Sequence, residues 1–425
     1  MNKLTKLIFD DMKPALGVTE PGAIAFAASK AKSYTEGKIE EVVVELNSGM
    51  YKNAFTCGIP NSNEVGNIFS AALGVTAGDH EKGLESLAGV TEKDNKEAEK
   101  LVKAGKVKVK LNGISSDIFI EATVKTNSHV CTVTIKDTHT NIVKIIVNNE
   151  VIFEKEENKT ENIGEEIPEI HKYTLAEIVE YVKNVDIKEI EFIKKAYDVN
   201  MELFNEGLNS SKSTFIHQLF KMNGNKIFSD DSLKTAQLLC NGAIEARVIG
   251  LDKPAMSITG SGAHGIIATM PLLAECRVKN ISEEILLRAT ALSYLVCMYI
   301  KEYSGRLSAF CGCGIAAGTG MACGLVFMRN GSVEEMSHTI NNMASSITGM
   351  ICDGGNQGCT MKGIAATDTA FRSAEFAMSG VYIYNVHGIN GNTPEDTMRN
   401  MGLIASPGMT GTEKTIVEIF ENKIK

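Results

Sequence analysis

Ile118-Phe119-Ile120-Glu121-Ala122-Thr123-Val124 and Val130-Cys131-Thr132-Val133-Thr134-Ile135 alternate or run apolar, rich in β-branched residues. A period of two places alternate side chains on opposite faces of a pleated strand. Lys108-Val109-Lys110-Leu111 before them and Val143-Lys144-Ile145-Ile146-Val147 after them repeat the pattern. Turn formers such as Asn127 and Asn148-Asn149 separate the runs, which predicts an antiparallel meander from about Val107 to Phe153.

On either side of this stretch the pattern changes. Upstream, the first thirty residues read as helix, with small alanines from Ala23 to Ala31 after Pro21-Gly22. Val42-Val43-Val44-Glu45-Leu46 reads as a buried strand, and Leu84 to Lys103 as a charged helix. Downstream, Glu154 to Glu166 is a charged run expected to be a linker or exposed loop. Beyond Tyr173 the strand signal fades. Helical windows recur at 175–183, 187–206, 233–248, 282–301, 314–328 and 337–350. The expected fold class is α+β: a mainly helical C-terminal domain and a smaller N-terminal α/β part containing the meander. Residues 1–35 should pack on the C-terminal domain, 36–160 form the smaller domain, and 165–425 form the catalytic domain. At 425 residues two domains are the default.

Composition narrows the class. A net charge of −9 without a Lys/Arg stripe argues against nucleic-acid binding. Ile285 to Ile300 is the most apolar long stretch, but Arg288 interrupts it, so a buried helix is expected and not a membrane span. Ten cysteines follow an N-terminus that does not resemble a secretion signal, which predicts free thiols in the cytoplasm.

Three of those cysteines sit among glycines: Phe310-Cys311-Gly312-Cys313-Gly314 and Cys352-Asp353-Gly354-Gly355-Asn356-Gln357-Gly358-Cys359. Glycine lets backbone approach a bulky inorganic centre, and thiolates suit iron or zinc. The Cys311-Gly312-Cys313 spacing is too tight for a zinc knuckle, and neither His338 nor His387 completes a zinc pattern. Gly312 to Gly320 lacks the Lys-Ser/Thr of a phosphate loop. Thr259-Gly260-Ser261-Gly262-Ala263-His264-Gly265 precedes an apolar run. Its amides could cradle a carboxylate, and His264 could serve as a base near neutral pH. Glu20, Asn53 and Lys362 are further polar candidates.

The stretch from Phe310 to Gly320, together with Thr348-Gly349-Met350-Ile351-Cys352-Asp353-Gly354 and Cys359, resembles the L-cysteine desulfidase family. That family is similar in its C-terminal part to the α-chain of iron–sulfur L-serine dehydratases. Gly17-Val18-Thr19-Glu20-Pro21-Gly22-Ala23, Thr259-Gly260-Ser261-Gly262 and the stretch from Asn400 to Gly408 agree as well. The resemblance implies a 4Fe-4S cluster on Cys311, Cys352 and Cys359 with one iron open to substrate. Cys311 is preferred because its separation from Cys352 fits the dehydratase pattern better; Cys313 is the alternative, and Cys323 reads as packing. The implied reaction is β-elimination from a small amino acid, L-cysteine first and L-serine second. A non-catalytic metal- or redox-sensing protein is the remaining class.

Cys57, His264 and Glu20 are the catalytic candidates; Thr19, Asn53, Ser261, Gly262 and Lys362 are the substrate-binding ones. One departure stands out: Val18 occupies the place of a cysteine to which the family resemblance gives an acid–base role. The expected partners are the small amino acid and a second copy of the chain in a homodimer, with no nucleic acid and no membrane.

Overall fold

The computed structural model describes residues 1–155, 167–305 and 307–424, so most of the expected linker lies outside the described residues. Its main sheet has six strands in the order β3-β2-β4-β5-β6-β7. They are β2 (Ile39–Asn47), β3 (Val107–Gly113), β4 (Phe119–Thr126), β5 (Val130–Lys136), β6 (Ile142–Val147) and β7 (Glu150–Glu154). From β4 to β7 the strands form the antiparallel meander. Asn148 and Asn149, at φ 48° and 70°, make the two-residue turn before β7, a conformation asparagine tolerates better than most residues.

The first strand of the expected meander behaves differently. β3 lies at the sheet edge and pairs in parallel with β2, while β2 pairs antiparallel with β4 on its other side. Val42, Val44 and Leu46 are fully buried, so β2 is a central strand. Parallel pairing needs a long crossover, supplied by the helices Ser48–Asn53, Gly66–Ala77 and Glu92–Lys103. The last of these starts later than its charge pattern suggests, because Thr91 and Asp94 form a capping box there.

The N-terminus is not one helix. Helix Lys3–Asp11 ends before Pro14, and Lys13–Leu16 forms β1. It pairs antiparallel with β8 (Pro254–Ser257), Lys13 opposite Ser257. Proline lacks the N–H a helix interior needs and disfavours helix in the residue before it. Helix Thr19–Ser33 follows and is buried from Thr19 to Ser29. Its alanines allow close approach to helix Gly66–Ala77, where a methyl on Gly74 would lie 2.7 Å from the Ala25 carbonyl oxygen.

From Leu175 the described chain is helical apart from β8. Helices Ser232–Val248 and Gly262–Lys279 are buried on almost every side. The stretch from Ile285 to Ile300 is indeed a buried helix, within Glu283–Ser304. Among the described residues no helix is long and apolar enough to cross a membrane. Helix Gly358–Met378 had no clear signal, because its glycine-flanked start reads as a turn.

Candidate active site

A cavity of about 490 Å³ opens where the start of helix Thr19–Ser33, the β5–β6 turn, the Thr259–His264 loop and both cysteine segments meet. Of the residues singled out in the sequence, Val18, Thr19, Glu20, Asn53, Ser261, His264, Cys313, Cys352 and Cys359 line it.

The loop after β8 is a tight turn in which the Ser261 amide donates to Ile258 O at 3.1 Å. Thr259 and Gly260 take φ values of 51° and 75°. A β-branched residue in that region is strained. Thr259 is held there by its backbone N–H, which donates to the Asp11 carboxylate, and by its hydroxyl, which donates to Ile258 O at 2.8 Å. His264 Nδ1 lies 2.5 Å from the same hydroxyl oxygen. With the hydroxyl proton on Ile258 O, Nδ1–H is the donor, which leaves Nε2 on the side of the cavity and of Cys313. A methyl on Gly312 would come within 2.7 Å of Nε2, so only glycine lets the cysteine loop pass beneath the ring.

The two cysteine segments are stitched together by backbone bonds, Cys311 N to Met350 O at 3.0 Å and Cys352 N to Ala309 O at 2.6 Å. Cys313 opens a π-helical turn, Cys313–Ala317, that leads into helix Gly318–Met328. Gly354, at φ 100°, packs against the Lys52 carbonyl, and Gly355 N donates to Asn53 O at 3.1 Å. Cys359 lies in the first turn of helix Gly358–Met378, its thiol 3.4 Å from Gly354 O. Cys352 Sγ is 3.8 Å from Asn53 Oδ1.

The wall of the cavity carries Cys313, Cys352 and Cys359, while Cys311 is buried behind it. All four thiols lie within electrostatic reach of one another. Cys311 is hydrogen-bonded to Cys313, and this bond, then burial, pushes the Cys311 thiol well up. Cys313 is held well down by the same bond and by His264 and Arg247. Burial pushes Cys359 up to about 12. Cys323 lies inside helix Gly318–Met328, away from the wall, also pushed up to about 12 by burial.

Thiols are the donors that hold iron–sulfur clusters, and the donor chemistry of this corner fits one. Among the described residues no three His, Cys, Asp or Glu side chains are grouped to hold a single metal ion. Bonds of about 2.3 Å would draw tetrahedral thiolates to within about 3.8 Å of each other; a cluster holds its thiolates farther apart.

Glu20 is buried in the first turn of its helix and accepts from Asn53 Nδ2 at 2.8 Å. His139, from the β5–β6 turn, places Nε2 3.9 Å from Glu20 Oε1. Cys57 is fully buried outside the cavity wall; burial, reinforced by Glu20, pushes its thiol far up. Gly262 backs onto Arg247 Nε. Lys362 lies outside the wall and is paired with Asp353. Burial works against its charge, yet the Asp353 bond and nearby thiols raise it overall.

Sequence reading missed Arg247, His139 and Lys301, all of which line the cavity. Arg247 had a faint signal, a lone cation within the otherwise small and apolar Ala246-Arg247-Val248. His139 sits in a polar turn that looks like any other hairpin connection.

The sequence profile of the serine dehydratase alpha chain matches residues 81–418. The chain is 41% identical over 427 residues to a UPF0597 protein of Clostridium botulinum (strain Hall), covering 99% of this chain and 98% of that one. A UPF0597 protein of Caldanaerobacter subterraneus is 37% identical over 420 residues, covering 99% and 98%. One from Clostridium tetani is 33% identical over 417 residues, covering 98% and 97%. A thiol-rich cavity in a mainly helical body and this match point to a serine dehydratase-like lyase. The chain belongs to the serine dehydratase alpha chain family.

Proposed function

We propose that the protein is an iron–sulfur-dependent lyase that eliminates the β-substituent of a small amino acid. The observation that carries this reading is the joint presence, in one cavity, of a multi-thiol corner and His264 Nε2. Cys352 and Cys359, with one of the Cys311–Cys313 pair, would hold a 4Fe-4S cluster. Position on the cavity wall favours Cys313, and the family resemblance favours Cys311. When bound, the cluster supplies an electrophile for the substrate's leaving group.

The protein's own residues supply binding and proton transfer. His264 Nε2, fixed by the Nδ1–Thr259 bond, takes the α-proton. Glu20, oriented by Asn53 and flanked by His139, is the second acid–base group. For L-cysteine the balance is L-cysteine plus water giving pyruvate, ammonia and hydrogen sulfide: the Cα–H and Cβ–S bonds break, and the enamine product tautomerises and hydrolyses. L-Serine, losing water in place of hydrogen sulfide, is the second reading, favoured by the family match. We place the reaction in the cytoplasm, where thiols stay reduced.

The test is anaerobic reconstitution with iron and sulfide, followed by assay of pyruvate, ammonia and sulfide with L-cysteine and L-serine. Pyruvate from either substrate is the expected result. A fully loaded protein that releases pyruvate from neither overturns the reading.

A further inference from the structure

We infer that Arg247 is the receptor for the substrate's α-carboxylate. The assignment rests on the amino-acid lyase reading above and deepens it by naming the group that selects the substrate class. Arg247 comes near the end of helix Ser232–Val248, is only 5% exposed, and lines the cavity. Its Nε is buried and has no hydrogen-bond partner. A buried charge normally recovers its lost hydration from a partner. Cys313 and Cys57 feel its field, while the Glu20 carboxylate is committed to Asn53. A guanidinium presents a planar fork of donors that matches a carboxylate.

The second feature lies beside it. Helix Gly262–Lys279 begins at Ser261, which makes no side-chain capping bond. The amides of a first helical turn are unpaired within the helix and favour an anion. A methyl on Gly262 would lie 2.7 Å from Arg247 Nε, so glycine leaves nothing between the guanidinium and this turn. Ser261, Ala263 and His264 of that turn also face the cavity. Because Arg247 and this turn are in contact, an α-carboxylate in the cavity can reach the cavity-facing edge of the Arg247 guanidinium and the helix start together, beside His264, the group that takes the α-proton.

The probes are L-alanine, which keeps the carboxylate but has no leaving group, and ethylamine, which lacks the carboxylate. Their binding to the reconstituted full chain is measured by calorimetry, with iron content followed in parallel. We expect Arg247→Gln to weaken L-alanine on the order of 10²-fold, the scale for truncating one partner of a buried charge pair. Iron content and ethylamine binding should stay as in the native protein. Arg247→Lys, which keeps the charge but loses the fork, should weaken L-alanine roughly tenfold, and carries the test if Arg247→Gln does not fold. L-Alanine binding unchanged in the variant that folds would overturn the inference; unchanged binding with lost iron would mean that Arg247 serves the thiolates. Native turnover with an unaltered KM in the variant would leave the lyase reading standing and remove Arg247. Arg247-dependent L-alanine binding without any turnover would do the reverse.

Discussion

Val18 is 3% exposed, lines the cavity, and packs against Gly355 between Cys352 and Cys359. It therefore abuts the thiol corner at the place where the desulfidase resemblance puts an acid–base cysteine, and valine moves no proton. Val18→Cys should raise sulfide release from L-cysteine under anaerobic conditions, by up to the roughly 10²–10⁴-fold that a general acid–base group contributes. An unchanged rate, with His264→Ala inactive, would show that His264 alone handles the proton. For the ligands, Cys352→Ser and Cys359→Ser should each abolish the visible absorbance of the reconstituted protein. Cys323→Ser should retain it, since that thiol is packed inside helix Gly318–Met328. The cavity wall predicts a larger loss for Cys313→Ser than for Cys311→Ser; the reverse order would restore the assignment drawn from the resemblance.

At the scale of elements, the site is made where turns feed helices. Gly312 runs under the imidazole of His264, so Gly312→Ala would drive a methyl against Nε2. A displacement of about 1 Å at a reacting group can cost on the order of 10²-fold. We expect turnover to fall at least roughly tenfold while far-UV circular dichroism is unchanged; undiminished turnover would show that Nε2 need not sit where it does. The meander was legible because a period of two is a local signal that burial on one face enforces. The edge placement of β3 was not, because parallel pairing with β2 is set by a crossover of helices and not by the strand itself. The helical setting of Cys359 is not legible either, since Gly354, Gly355 and Gly358 hide the start of a 21-residue helix. The β1–β8 pair leaves no sequence signal for a related reason: four-residue strands lack a measurable period.

Across the whole molecule, one buried ion pair ties distant parts to the site. Lys52 Nζ meets Glu413 Oε2 at 2.7 Å, with side chains 0% and 5% exposed, and also donates to Ser308 O at 3.0 Å. It joins the helix after β2, the loop leading to Cys311, and the C-terminal helix Thr410–Ile424. Phe420 of that helix stacks on Phe55 at 4.5 Å between ring centroids. Glu413→Ala would strand a buried ammonium and should cost about 3–5 kcal/mol, read as a lower midpoint in urea. Replacing both partners, Lys52→Met with Glu413→Leu, should recover much of that loss. If the single variant is as stable as the native chain, the pair is not what holds the C-terminal helix in place.

What the sequence determined by itself was local: the strand period, the helical windows, the glycine-flanked thiols and the Thr259–Gly262 loop. These follow from the conformations that short runs of side chains allow. What only the tertiary structure decided was which segments meet. Val18, Glu20, Arg247, His264 and Cys359 come from widely separated parts of the chain and share one cavity. That Arg247 is buried without a bonded partner at Nε, or that Cys57 is sealed beneath the wall, depends on what surrounds the residue. Burial and the pairing of charges are set by contacts between distant segments, so they become visible only when the chain has folded.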